Sequence, residues 1–437
     1  MSVRLWRPKH VGAAGVAALA LAASTLTPLS MTHTHAAAVA APVTITYWSQ
    51  NLGLPKETIP LFERTHPGIK INQVIVTNYN TKVRIALNAG GSGAPDTLQM
   101  QYNEIPSYLI TNKLLDLSPY GATGLKQGYI PWVWGQVSRG SKVYAIPADQ
   151  GPVAMLYRKD ILDKYHLAVP TTWAQYAQEA VALHKAAPKI YLGNSPVDEI
   201  TYPIFQWQAG ARPFKVNGST VTVNFTDPAS LKVANYWEGL IRQKALDTTP
   251  AYTPSWYSGL DSGRYATWIC AAWGPLILKP VAKTSAGKWR VAELPQWTAG
   301  AHVSANYGGS SYAVTVYSQH PREAAIWAEW LGSSPSSQLI ELKNNVFPTL
   351  TSILDNPSQI GQPDPFFGGQ VPNVVFAHAA RGVDTSWQFS PFDDYASAQQ
   401  NTVLAAAEKG TYSFAQAMAK EQATIISYAR AQGFTVQ

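Results

Sequence analysis

Strand-like and helix-like segments alternate along most of this 437-residue chain, and this alternation restricts the possible fold more than any other feature. Apolar patterns typical of β-strands occur at 43–48, 69–76, 143–146, 153–157, 266–270, 289–293 and 312–316. Helical patterns lie between them, beginning at Pro55, at Thr81 and after Thr172. The alternation predicts an α/β fold with mainly parallel sheets that are covered by helices on both faces.

Two helix starts carry a capping box, in which a Ser or Thr side chain and a Gln three residues later bond each other's backbone N–H groups. Thr172 and Gln175 form one such pair, and Ser413 and Gln416 form the other. We therefore expect helices to begin directly after Thr172 and Ser413.

Length and composition limit the classes of protein to which this chain can belong. The length suggests roughly two or three domains, and 46% hydrophobic residues are enough for substantial cores. The formal net charge is +7, but the basic residues form no cluster, and three of them lie within the first nine residues. A nucleic-acid partner is therefore not expected. The only cysteine, Cys270, lies between apolar residues, so we expect a buried thiol and no internal disulfide.

The N-terminus has the arrangement of a secretory signal peptide. Arg4, Arg7 and Lys9 precede the apolar run 11–23, and A-x-A patterns follow at 36–38 and 38–40. We predict that residues 1–40 are removed on export and that the mature chain begins between Val39 and Pro42. The alternative is an uncleaved anchor, although the apolar run is short for a membrane span.

Motifs for catalysis are absent from the sequence. It contains no G-x-S-x-G, no phosphate-binding G-x-x-x-x-G-K-[ST] and no H-E-x-x-H, and the glycines at 90–93 are interpreted as a helix-ending turn. The histidines are scattered apart from His33 and His35 in the leader, so no metal site is expected. Asp393 and Asp394 are interpreted as a helix start or a solvated face. The paired carboxylates of a glycosidase are not suggested by the sequence, and an enzyme is not expected.

Aromatic residues are unusually frequent, with 15 Trp and 22 Tyr. Large rings can stack on the apolar face of a sugar while polar neighbours bond its hydroxyls. Trp173, Trp327 and Trp330 fall on apolar helix faces and are assigned to packing. Five others lie in loops or at strand ends, where α/β proteins place ligands: Trp48, Trp207, Trp256, Trp273 and Trp387.

Several motifs occur in a recognisable order. FERTHPGIKI begins at Phe62, KVYAIPAD begins at Lys142, MLYRKDIL begins at Met155, and PTTWAQY begins at Pro170. GRYATWICAAW ends at Trp273, and GGSSYAV follows at 308–314. Together these motifs resemble the extracellular solute-binding proteins, the family that includes the maltose-binding proteins. Arg158 departs from the pattern, since the family usually has Asn there.

The resemblance implies a two-lobed periplasmic-binding-protein type II fold with a central ligand cleft. Lobe 1 would comprise 43–149 and 305–348, and lobe 2 would comprise 150–304 and 349–437. The chain would cross between the lobes near 149–152, 301–307 and 347–352. Hinge closure would trap the ligand.

The resemblance also implies site residues. Trp273 matches the family's ligand-stacking aromatic, and Trp48, Gln50 and Asn51 follow the first strand where the family reaches the cleft. Asp149, at the first crossing, would either bind sugar hydroxyls or brace the hinge. The remaining candidates are Gln101, Tyr102, Asn103, Trp207, Trp256, Tyr307 and Trp387.

The function implied is extracytoplasmic binding of a neutral di- or oligosaccharide by a monomer and its delivery to the permease subunits of an ABC importer. No cofactor is expected, because binding and delivery of a solute would not need one. Contact with the membrane would be peripheral, through the importer. Relatives often carry a lipidated cysteine after the leader, which this sequence lacks, so either periplasmic or cell-surface residence stays open. The alternatives are a carbohydrate lyase or hydrolase, or a ligand-sensing surface protein on the same fold.

Overall fold

The computed structural model describes residues 41–50, 53–197 and 201–437. Within this part of the chain, Pro42–Gln437 form one compact unit. The predicted signal segment and Asn51 lie outside the described residues. The strands are β1 Val43–Ser49, β2 Ile69–Ile75, β3 Thr97–Gln101, β4 Ser138–Arg139, β5 Lys142–Val143, β6 Ala145–Pro147, β7 Val153–Arg158, β8 Phe214–Asn217, β9 Thr220–Val223, β10 Thr267–Ala271, β11 Trp289–Glu293, β12 Ser310–Val314 and β13 Thr435–Val436.

Helices separate most of these strands. They are α1 Thr58–Thr65, α2 Tyr79–Asn88, α3 Ile105–Ile110, α4 Pro131–Val137, α5 Lys159–Lys164, α6 Trp173–Ala186, α7 Thr201–Gln208, α8 Pro228–Arg242, α9 Pro254–Ser262, α10 Gly274–Val281, α11 Pro321–Ser333, α12 Pro335–Lys343, α13 Thr351–Leu354, α14 Pro372–Arg381, α15 Asp393–Glu408 and α16 Phe414–Ala431. No helix among the described residues combines the length and apolar character needed to cross a bilayer.

The first sheet has five strands in the order β2-β1-β3-β12-β6. β1 is parallel to both β2 and β3, whereas β12 is antiparallel to β3 and to β6. Helix α11 packs on this sheet, and its buried Trp327 contacts Tyr47 of β1 and Phe62 of α1 edge to face. Trp327 therefore has the packing role expected from its apolar helix face.

The second sheet is three-stranded, in the order β10-β7-β11, and its pairs are antiparallel. A smaller sheet, β13-β9-β8, holds the C-terminal strand. Helix α6 contributes the buried Trp173, whose ring contacts Trp237 of α8 and Phe205 of α7. Trp173 is thus also a packing residue, as its position on an apolar helix face predicted.

The expectation of mainly parallel sheets is wrong. β7 starts where the chain leaves the first sheet, whereas β10 and β11 run back toward that point, so that Ala271 pairs with Val153 and Glu293 with Ala154. In the first sheet β12 likewise starts at the ends of β3 and β6, with Ser310 opposite Gln101. When one strand starts at a crossing point and its neighbour in the sheet ends there, the two strands run antiparallel.

Three chain segments meet between the first and second sheets. The Gln150 side chain donates to Pro348 O at 2.7 Å, and Gly151 N donates to Asn306 Oδ1 at 2.8 Å. Gln338 of α12 joins the same cluster, since its amide donates to Ala148 O and accepts from Thr349 N. Buried side-chain amides thus tie together the three segments through which the chain passes between the sheets.

Both predicted capping boxes are present, at Thr172–Gln175 and at Ser413–Gln416. The helix expected at Pro55 begins later, at Thr58, and the segment 143–146 divides into β5 and β6. Cys270 is a buried thiol, as predicted.

Candidate functional site

A cavity of about 390 Å³ lies between residues at the end of strand β3 in the first sheet and residues of helices α7, α15 and α16. Its lining combines aromatic rings with amides and carboxylates. The residues are Asn80, Gln101, Tyr102, Asn103, Pro203, Ile204, Gln206, Trp207, Pro213, Phe214, Phe225, Asn306, Tyr307, Gly308, Trp387, Phe389, Asp393, Asp394, Ala396, Ser397, Gln400 and Glu421. Six predicted site residues meet there: Gln101, Tyr102, Asn103, Trp207, Tyr307 and Trp387.

One wall of the cavity is formed by the residues at the end of strand β3 and directly after it. Because β1, β3 and β6 all run toward this edge, the residues after β3 project into the space between the sheets. Tyr102 is buried and its hydroxyl donates to Asp149 O at 2.9 Å, while the Asn103 amide donates to Asp394 Oδ1 at 3.4 Å. Asn103 therefore joins the β3 side of the cavity to the start of α15.

The second wall is aromatic. The rings of Trp207 and Trp387 stack with centroids 5.1 Å apart and planes inclined by 6°. Trp207 Nε1 donates to Asp384 O at 2.8 Å, and Phe389 and Trp132 meet its ring edge to face. Trp387 Nε1 is buried and has no hydrogen-bond partner within the described part of the chain. The wall offers flat apolar surface of the type that stacks on sugar rings.

A buried polar group completes this side of the cavity. Gln400 Nε2 donates to Gln206 Oε1 at 3.0 Å and to Glu421 Oε2 at 3.2 Å, and all three side chains are buried. Burial raises the pKa of Glu421 well above its usual range, against the opposing hydrogen bond from Gln400. A protonated Glu421 both donates and accepts, which suits contact with hydroxyl groups.

Two further carboxyl groups stand at the start of α15. Burial, together with the neighbouring Asp394, raises the pKa of Asp393 to about 7. Burial also raises the pKa of Asp394, an effect that Arg84 opposes. The helix-start interpretation is confirmed, since both residues occupy the first turn. Sequence reasoning missed their position in the cavity, because adjacent residues give no sign of facing a distant strand end.

Trp273 stands beside this cavity and does not line it. Its Nε1 donates to Tyr307 O at 2.9 Å, and the two rings meet edge to face at 4.8 Å. It follows β10 and directly precedes α10, with its side chain half-buried. Tyr307 and Gly308, which do line the cavity, thus separate Trp273 from it in this conformation.

Asp149 also lies behind the lining. Its carboxylate accepts hydrogen bonds from Ser310 N at 2.8 Å and from the Ser310 hydroxyl. Burial raises the pKa of Asp149, although both Ser310 contacts oppose the shift. This geometry braces β12 against the first crossing, which is one of the two roles anticipated for it.

The other predicted residues lie elsewhere. Trp48 is half-buried against the core, and its carbonyl accepts from the Tyr79 hydroxyl at 3.2 Å. Gln50 N donates to Gln99 Oε1 at 3.3 Å. Trp256 is fully buried against Trp268, at a ring distance of 5.2 Å. The structure does not bring these three to the cavity, and Asn51 is not among the described residues.

The fold and the cavity define a class: an α/β protein with a sugar-sized, aromatic and polar cavity between two sheets joined by three crossing segments. The family model described as bacterial extracellular solute-binding protein matches residues 44–337. A solved ABC transporter-associated binding protein from B. animalis subsp. lactis Bl-04, in complex with beta-1,6-galactobiose, is 30% identical with a TM-score of 0.75 over 91% of this chain and 100% of that chain. This chain belongs to the bacterial extracellular solute-binding protein family, and its fold is the two-lobed α/β fold that the sequence predicted.

A second solved structure has the same fold, and a further relative is similar in sequence. The galacto-N-biose-/lacto-N-biose I-binding protein of Bifidobacterium longum, in complex with lacto-N-biose, is 24% identical with a TM-score of 0.78, covering 91% of this chain and 99% of that chain. An arabinooligosaccharide-binding protein of Halalkalibacterium halodurans is 23% identical over 63% of each chain. The match thus spans about 63% of that relative's length. All three relatives are described as binding proteins.

Proposed function

We propose that this chain binds a neutral di- or oligosaccharide outside the membrane and delivers it, unaltered, to an ABC importer. The observation that carries the proposal is the cavity, which is lined by the stacked Trp207 and Trp387 and by the amide of Asn103. Aromatic surface with convergent hydrogen-bonding groups is what a pyranose ring and its hydroxyls require. Relatives described as binding galactobiose, lacto-N-biose and arabinooligosaccharide support a sugar ligand.

We further propose the lobe boundaries 43–149 with 305–348, and 150–304 with 349–437. The membership of the sheets supports them, because β1 to β6 and β12 fall in the first set and β7 to β11 in the second. The packing of α11 on the first sheet supports the assignment of 305–348. Closure would occur at the three crossings, with the ligand favouring the closed state because it touches both lobes only there.

Export and partners belong to the same proposal. Membership of an extracellular family supports an extracytoplasmic location, and the leader pattern supports export by a signal peptide cleaved to give a mature start between Val39 and Pro42. The importer's permease subunits would bind a monomer. Mass spectrometry of the exported protein tests the processing step, since an intact N-terminus there would contradict cleavage.

The ligand is tested by calorimetric titration of the mature protein with monosaccharides, beta-1,6-galactobiose, lacto-N-biose and arabinooligosaccharides. We expect saturable binding of at least one neutral di- or oligosaccharide. Affinity only for phosphorylated sugars or polyamines would overturn the proposal. Chromatography of the ligand recovered after incubation distinguishes binding from turnover, and appearance of cleaved products would favour a lyase or hydrolase instead.

A further inference from the structure

Three potential metal ligands that are distant in sequence converge on one patch of the surface: Glu293, His302 and His378. One ligand atom from each lies within 4.8 Å of the others. His378 Nδ1 is 2.7 Å from Glu293 Oε1, and His302 Nδ1 is 3.4 Å from Glu293 Oε2. The two imidazole rings meet edge to face at 5.7 Å. Both Nδ1 atoms therefore face the same carboxylate.

Each of these side chains is carried by an ordered segment. Glu293 ends β11 and pairs with Ala154 of β7. His302 precedes two anchored residues, since Val303 N donates to Gln296 Oε1 at 2.9 Å and Ser304 N donates to Gly382 O at 2.8 Å. His378 lies on α14, which packs on β7 and β11. The positions of the three residues are thus fixed by the backbone rather than by their own contacts.

The donor set indicates the kind of ion. Two imidazole nitrogens with one carboxylate oxygen suit Zn²⁺ and other divalent transition metals better than Mg²⁺ or Ca²⁺, which prefer oxygen ligands. Two atoms bound at ~2.1 Å in a tetrahedral Zn²⁺ site lie roughly 3.4 Å apart. The His302–Glu293 separation of 3.4 Å matches this value, the His378–Glu293 separation of 2.7 Å is shorter, and all three ligand atoms lie within 4.8 Å of one another, so small side-chain rotations would complete the geometry. The side chains are 39%, 69% and 55% exposed in chain order, so an ion can enter.

We propose that Glu293, His302 and His378 form a binding site for one Zn²⁺ ion. The exposed side leaves the fourth coordination position to water. None of the three residues lines the sugar cavity, so the site is separate from the proposed ligand site. His302 lies in the 301–307 segment, and the bound ion links that crossing segment to β11 and α14. All three ligands lie within the proposed lobe 2, so metal binding anchors the lobe-2 end of this crossing segment.

The test is a calorimetric titration of the EDTA-treated, dialysed mature protein with Zn²⁺ in a buffer that does not chelate metals. We expect one ion per chain for the wild type. His302→Ala and His378→Ala should each weaken the affinity by about tenfold or more, as loss of one of three protein ligands predicts. Glu293→Gln should also weaken it, because it removes the ligand's negative charge while keeping its shape.

The matched control is His320→Ala, which removes an exposed histidine next to the start of α11 and should bind Zn²⁺ as the wild type does. Cobalt(II) absorption spectra provide a second readout. Bands typical of tetrahedral Co²⁺ in the wild type that disappear in His302→Ala and His378→Ala would support the site. The proposal is overturned if no saturable binding occurs up to about 1 mM Zn²⁺. Equal affinity in wild type and in the His302→Ala, His378→Ala double variant would overturn it as well. Far-UV circular dichroism of each variant checks that it is folded. Glu293→Gln keeps the shape of the side chain and therefore tests the site with the least disturbance of the fold.

Discussion

The indole rings of Trp207 and Trp387 lie nearly parallel, 5.1 Å apart, although one belongs to α7 and the other to the loop before α15. The contact brings two parts of the chain that are far apart in sequence to one wall of the cavity. It also presents a rigid apolar surface, because Trp207 is held by its hydrogen bond to Asp384 O. A sugar ring stacked on this surface would meet a wall that needs little further ordering.

Trp387→Ala should weaken binding of the sugar identified by titration by about 2 kcal/mol or more, as expected for a truncated aromatic anchor in a desolvated pocket. The ring lines the cavity and is 6% exposed, so some stability should also be lost. Calorimetry and a urea denaturation midpoint on the same variant measure both effects.

Trp330→Ala is the matched control for this substitution. Trp330 stacks on Trp327 with centroids 6.0 Å apart and planes inclined by 11°, but it does not line the cavity. The control should lose stability with wild-type affinity. If the two variants bind sugar equally well, the stacked pair at Trp207 and Trp387 has only a packing role.

Trp273→Ala tests whether Trp273 contributes to ligand binding, through its contact with the cavity residue Tyr307, or only to packing. Removal of the indole deletes the hydrogen bond to Tyr307 O and the ring contact beside the cavity. We expect affinity to fall by roughly 2 kcal/mol while the denaturation midpoint changes little. Trp268→Ala, which removes a buried neighbour at 6.4 Å, should instead cost roughly 3–5 kcal/mol of stability. A large drop in midpoint with normal affinity for Trp273→Ala would remove it from the site.

Stability should increase as the pH is lowered from 7.5 to about 5. Burial raises the pKa values of Asp393 and Glu104 to about 7, compared with about 4 for carboxyl groups in an unfolded chain. Between these values the folded protein binds more protons than the unfolded chain, so the free energy of unfolding decreases as the pH rises. The pKa of Asp247 is lowered by Tyr265 and Arg264, although burial opposes the shift, so its contribution is lost only in stronger acid. Urea midpoints across this range measure the slope.

Asp393→Asn should flatten that slope, because the amide removes one group that is protonated preferentially in the folded state. Asp163→Asn, at an exposed carboxylate paired with Lys159, should leave it unchanged. A wild-type midpoint that rises steadily from pH 5 to 7.5 would contradict the expectation.

Gly151→Ala should destabilise the crossing region. An added Cβ would lie 2.0 Å from Tyr307 O and 3.3 Å from Ala271 Cβ, so two backbone segments would have to separate. Overpacking of this kind costs about 1–3 kcal/mol. Gly239→Ala, inside α8 with no atom within 4 Å, should instead stabilise by about 1 kcal/mol. Equal urea midpoints for the two variants would show that the crossing can relax around a methyl group.

The sequence determined the features that depend on neighbouring residues. Strand positions such as β1 and β11 follow from local apolar patterns, and the helix starts after Thr172 and Ser413 follow from side chains three residues apart. The order of the family motifs predicted the two-lobed fold through the resemblance to solute-binding proteins. Residues after β3 could be placed at the cavity because the ends of adjacent strands share an edge.

Only the tertiary structure decided strand direction in the second sheet and which aromatic side chains reach the cavity. Trp256 and Trp387 were both predicted as site residues from their positions in the sequence. In the structure, Trp256 is fully buried against Trp268, whereas Trp387 lines the cavity. Glu421 entered the cavity, and His302 and His378 met Glu293, without any local signal. Sequence patterns encode contacts between residues a few positions apart, whereas convergence of distant side chains depends on how the helices and sheets pack together.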